Sequence, residues 1–218
     1  MASLQGPALW VFNDATFSDQ DFANIVKLGA GTKKDDASKV GKFGLGFNAV
    51  YNLSDVPSFI SRNTIALFDP HKRHLPRGNP GMKIDLSLPK NRSLLKAVPL
   101  QFKPFEGVFG CALNQEQFVG YPATLFRLPF RSEEQAALSD IKKESYSPEK
   151  RRQFLAMLIK RAGNLLLFTQ NVKSVEVFHL SRDERNPLNM TCLMSVTRES
   201  AISAQGPYHV LQIPLKAF

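Results

Sequence analysis

Apolar residues fall in short blocks along this chain, and each block has its own period. Ala8–Phe12 is a dense run of β-forming residues, which predicts a buried strand that Asn13 and Asp14 end as a turn. Ser18 stands where a helix N-cap belongs, Asp19 and Asp21 suit the positive end, and Phe22, Ile25 and Val26 share one face before Gly29 stops the helix. Phe47, Val50 and Tyr51 also have helical spacing. Val56–Ile60 and Thr64–Phe68 predict two strands of a hairpin across Ser61-Arg62-Asn63.

The pattern then weakens. Residues 70–106 are rich in Pro, Gly and Lys and predict an irregular excursion. Thr124–Phe130 alternates as a strand. Ser147-Pro148-Glu149 is a helix start, with Phe154, Leu155, Leu158, Ile159 and Ala162 as its apolar stripe. This stripe is expected to pack on the sheet containing the Trp10 and Thr124–Phe130 strands. Val172–Leu180 and Asn189–Thr197 predict an antiparallel pair across Arg182–Pro187. Hairpins mixed with helices imply an α+β fold, a two-layer sandwich of one mixed sheet with helices on one face.

The 218 residues include 17 Phe, enough apolar surface for one large domain, and no apolar run reaches the roughly 18 residues of a membrane span. The N-terminus lacks the basic and apolar regions of a secretory signal. Cys111 and Cys192 are distant in sequence and read as reduced thiols of a cytoplasmic protein. His71, His74, His179 and His209 make no metal pattern, and His71-Lys72-Arg73-His74 reads as a solvated basic loop. The net charge of +9 raises nucleic acid as a partner, but the basic clusters carry no aromatic stacking motif.

The chemistry concentrates at Gly41-Lys42-Phe43-Gly44-Leu45-Gly46-Phe47. Glycines let a backbone approach an anion and aim N–H groups at it, and a following helix adds its positive end. The pattern is neither a Walker loop nor a dinucleotide fingerprint, and it serves equally as a structural turn. A loop leading into a helix is expected, with positive φ at Gly41, Gly44 or Gly46. The polar stretch Gly29–Lys39, with Lys33 and Lys34, predicts a lid.

The order of strand, Asp14, helix, lid, glycine segment and later Thr124 resembles the ATP-binding (GHKL, or Bergerat) fold. That fold is shared by gyrase, the ninety-kilodalton heat-shock chaperone, sensor histidine kinases and MutL. The wording of Gly6–Ala15, Lys39–Tyr51, Phe68-Asp69-Pro70-His71 and Thr124–Phe130 resembles the chaperone-like modules of the sacsin family. The resemblance implies that Asp14 meets the adenine amino group and Thr124 assists there. It puts Gly41, Lys42, Phe43, Gly44, Leu45, Gly46 and Phe47 at the phosphates, with Lys33 and Lys34 in the lid. Each has a plainer reading: Asp14 as a turn residue, Thr124 as a strand residue, the lysines as solvated charges.

The resemblance further implies ATP and magnesium as cofactors, cytoplasmic location, and protein clients or the seventy-kilodalton heat-shock chaperone as partners. It implies neither a membrane nor nucleic acid. Two departures argue against a working ATPase. Ala15-Thr16-Phe17 replaces the family's Gly-x-Gly after the Asp. The family's first helix, which carries the Glu base and the Asn ligand for magnesium, is expected to be missing, so no catalytic residue and no metal ligand is assigned. Residues 1–218 are expected to form one module, with a core at 6–70 and 107–180 and the start of an extension at 181–218. Three readings follow: a co-chaperone module of nucleotide-binding ancestry with little hydrolysis, a nucleotide-free interaction scaffold, or a basic nucleic-acid-binding domain.

Overall fold

A computed structural model describes residues 5–27, 45–114, 118–167, 169, 171–181, 183–184, 186–203 and 206–212. The chain divides into two compact units, Met1–Tyr146 and Ser147–Phe218.

The first unit is built on five strands: β1 (Ala8–Asn13), β2 (Ser58–Arg62), β3 (Thr64–Phe68), β4 (Gly81–Asp85) and β5 (Tyr121–Pro129). Their order is β1-β5-β2-β3-β4, and every neighbouring pair is antiparallel. The sheet is therefore antiparallel rather than mixed. The hairpin β2–β3 forms as the pattern predicts. The stretch 70–106 is more regular than expected: it supplies β4 and two helices, α3 (Pro89–Ala97) and α4 (Pro99–Phe102). Its Pro residues start these helices, because a missing N–H costs nothing at the first helical position.

Strand alternation splits the core between two faces. On one, Ile60, Ile65, Ile84, Ala123 and Leu125 pack with Leu95 of α3, Phe102 of α4 and Phe105. On the other, Phe59 and Ala66 pack with Phe22 and Ile25 of α1 (Asp19–Lys27), joined by Phe17, Phe47, Phe68 and Phe126. Helices thus cover both faces rather than one. The excursion carries enough apolar side chains to cover the second face, which its Pro and Gly content concealed. The helix α1 starts as its sequence predicts: Ser18 Oγ accepts from the Asp21 N–H, and Asp21 Oδ2 accepts from the Ser18 N–H.

Arg127 is also buried on the Trp10 side of the sheet, and burial lowers its pKa to about 10. The Trp10 ring at 5.6 Å and the Gly6 carbonyl at 3.2 Å offset part of that cost. A short helix, α5 (Glu133–Leu138), follows the sheet with a capping box between Ser132 and Gln135.

In the second unit, α6 (Pro148–Leu165) is capped by Ser147, whose side chain accepts from the Lys150 N–H. The strands β6 (Ser174–His179), β7 (Thr191–Ser203) and β8 (Gly206–Gln212) form a sheet in that order, and β6–β7 is the predicted antiparallel pair. Leu155, Leu158 and Ile159 pack with Ala162, Leu166, Val175, Val177, Met194 and Val196. The stripe therefore lies on this sheet, not on the sheet of β1 and β5. Periodicity shows that a face is buried and leaves its partner open. No described helix is long and apolar enough to cross a membrane.

Candidate functional site

The end of β1 is the best-defined polar site. Asn13 pairs with Thr124 across the β1–β5 ladder, and Asp14, the next residue, lies just past the end of that ladder. Asp14 is exposed and sits in a turn that Asn13 closes: its Oδ1 accepts from the Ala15 N–H at 2.8 Å.

Thr124 is 1% exposed and its hydroxyl is engaged. It donates to the Ala15 carbonyl at 2.8 Å and lies 2.9 Å from Ser61 Oγ. Ser61, also fully buried, accepts from the Phe17 N–H at 3.0 Å and has one proton to give, to Thr124 Oγ1 or to the Ala123 carbonyl at 3.0 Å. The two hydroxyls together fasten the segment after β1 to the ends of β2 and β5. Buried polar groups that satisfy one another in this way hold a backbone in one place. The sequence reading missed Ser61. Its signal was present, a hydroxyl continuing the inward alternation of an apolar strand, but only the register shows what it touches.

Phe17 follows directly and packs at a tilt in the aromatic cluster, with ring centroids 4.8 Å from Phe59, 5.3 Å from Phe22 and 6.1 Å from Phe126. A side chain of this size stands where the resembled family has glycine.

Of the glycine segment, Gly41, Lys42, Phe43 and Gly44 lie outside the described residues, as do Lys33 and Lys34. A helix does follow at once, α2 (Leu45–Asn48), continued by a tighter turn over Ala49–Asn52. Phe47 packs 4.9 Å from Phe68 and 6.4 Å from Phe126 and thereby joins the Phe17 cluster. Gly46 is within the helix, does not have positive φ, and a Cβ there would meet nothing within 4 Å. Of the three glycines expected to use positive φ, Gly46 does not, and among the described residues nothing crowds it.

In the basic stretch read as a solvated loop, Lys72 and Arg73 are exposed as expected, but His71 belongs to a second polar cluster. The His71 side chain is 6% exposed, with Nε2 3.7 Å from Asp55 Oδ2 and 3.3 Å from Ser139 Oγ, and Nδ1 3.4 Å from Asp140 Oδ2. Asp55 in turn holds Arg131 through Nε at 2.9 Å and Nη2 at 2.6 Å. Ser139, His71 and Asp140 line up as a nucleophile, base and acid would. However, Ser139 is 1% exposed, and its oxygen accepts from the Ile141 and Lys142 N–H groups at 3.2 Å. A hydroxyl so enclosed ties loops together and has no room for a substrate. Among the described residues no group of three His, Cys, Asp or Glu side chains is arranged to hold a metal.

Fold and site together define an α+β protein whose antiparallel sheet carries helices on both faces and a clamped turn at the end of its first strand. The chain belongs to the sacsin family: residues 1–192 match the family model for the Sacsin domain. Over 194 residues, 86% of the chain, it is 42% identical to human Sacsin. The aligned part is 4% of that protein's length, so the chain corresponds to a small piece of it.

Proposed function

We propose that this chain is a chaperone-type module of a sacsin-like co-chaperone, derived from a GHKL nucleotide-binding domain and retaining little binding or hydrolysis of ATP. The observation that carries this reading is the clamp at the end of β1. Asp14 follows Asn13, the ladder partner of Thr124, near where the resemblance would put an adenine. Thr124, however, uses its hydroxyl on Ala15 and Ser61, and Phe17 fills the cluster beside them.

The residues at the end of β1 suit ATP poorly. The adenine end does not fit, because a nucleotide there would have to displace buried hydrogen bonds, each worth about 1 kcal/mol or more once left unmade. The nucleotide-free scaffold is favoured over an ATPase by the same observation. Its partners are proteins, clients or the seventy-kilodalton heat-shock chaperone, met in the cytoplasm.

Calorimetry with ATP and magnesium, together with phosphate-release assays, tests the reading. Binding is expected to be weaker than micromolar and turnover indistinguishable from background. Micromolar affinity that Asp14→Asn abolishes would refute it.

A further inference from the structure

Asp69 follows β3 directly and is 1% exposed. It belongs to the Phe68-Asp69-Pro70-His71 stretch, to which the nucleotide reading gives no role. It is the hub of the turn that leads toward β4. Its N–H donates to the Pro80 carbonyl at 2.7 Å, and its carbonyl accepts from the Lys72 N–H at 2.8 Å. Its Oδ2 accepts from the His74 and Leu75 N–H groups. Its other oxygen, Oδ1, is buried, and among the described residues nothing donates to it. A carboxylate oxygen taken out of water without a donor is costly, so this one calls for a donor.

Asp69 also lines a cavity, together with Ser58 of β2, Gln101 of α4 and Arg127 of β5. Ile65 and Phe102 supply apolar wall, which places the cavity on the Trp10 side of the sheet. The Phe17 cluster beside the β1 clamp packs on the opposite face, so the cavity is no part of that site. All its lining residues lie between Val56 and Arg127, within the first unit. Its volume is about 20 Å³, above the roughly 10–15 Å³ that a water needs and too small for an organic ligand. A water also needs several polar partners, and the wall offers a carboxylate, a hydroxyl, an amide and a guanidinium.

We propose that this cavity binds an internal water, which donates to Asp69 Oδ1 and ties the turn after β3 to the sheet. A water both donates and accepts. In a cavity this small it serves the carboxylate and the guanidinium or hydroxyl on the same wall. An ammonium ion can only donate, and Arg127 sets a like charge against it.

Oxygen relaxation dispersion in labelled water counts long-lived internal waters, and nuclear Overhauser effects from water to the buried Ile65 methyls place one. Both signals are expected from the 218-residue chain. Asp69→Leu is expected to lower the count and to erase the effects at Ile65. Asp69→Asn is expected to keep both. Its amide leaves an oxygen for the His74 and Leu75 N–H groups and turns a donor to the water, which rotates to accept. Absence of water effects at Ile65 in the unmodified chain overturns the proposal. So does an unchanged count in Asp69→Leu, a lost water in Asp69→Asn, or effects at Ile65 from isotope-labelled ammonium in place of water. If Asp69→Leu does not fold, the unmodified chain and Asp69→Asn decide.

Discussion

Arg131 is a fully buried charge in the first unit. It is 1% exposed, and besides Asp55 it donates to the carbonyls of Tyr51, Asn52 and Glu144. Its five N–H groups form a planar fork, and this site answers the fork from several sides. Removing the carboxylate leaves the guanidinium in the interior without its counter-charge. Asp55→Ala is expected to destabilise the first unit by about 3–5 kcal/mol, read as a shift in the denaturant midpoint. A loss below about 0.5 kcal/mol, the range of ordinary surface changes, would mean the pair is solvated. Nothing in the local sequence announced this site. Asp55 and Arg131 are 76 residues apart, and both read as surface charges until the chain folds.

At the scale of elements, α6 separates what periodicity reveals from what it does not. Its start at Ser147-Pro148 and its stripe were legible, because capping and a 3.6-residue period are local properties. Its partner sheet was not. Leu158 is half-buried against the β6–β7 sheet, so Leu158→Ala is expected to cost about 1–2 kcal/mol, below the 2–5 kcal/mol of a fully enclosed leucine. Hydrogen exchange locates the loss: protection is expected to fall in β6 and β7 and to hold in β1 and β5. A fall in β1 and β5 instead would restore the single-sheet packing that the stripe alone suggested.

At the scale of the whole molecule, the two units have separate cores. Ile60, Ile65 and Leu125 centre one, and Ala162, Leu166 and Val196 centre the other. A unit with its own core and its own closed hydrogen bonding folds alone. A chain ending at Tyr146 is expected to keep the β1-β5-β2-β3-β4 sheet, with cooperative thermal unfolding and the near-ultraviolet signal of Trp10 intact. Loss of both would show that residues 147–218 are needed for the first core.

The sequence by itself determined the strands β1, β2, β3, β5, β6 and β7, the starts of α1 and α6, the turn after Asn13 and the family, because these rest on local periods, caps and motif wording. It also named Asp14 and Thr124 by resemblance, and the register sets Asn13, the residue before Asp14, opposite Thr124. Only the tertiary structure decided that the Pro-rich stretch covers a second face of the sheet, and that His71 is enclosed. It alone showed that Ser61 and Thr124 use their hydroxyls on the segment ending at Phe17. The reason is the same in each case. Period and propensity fix what a segment is, but which groups satisfy one another depends on strand register and layer packing across dozens of residues, and no local pattern encodes that.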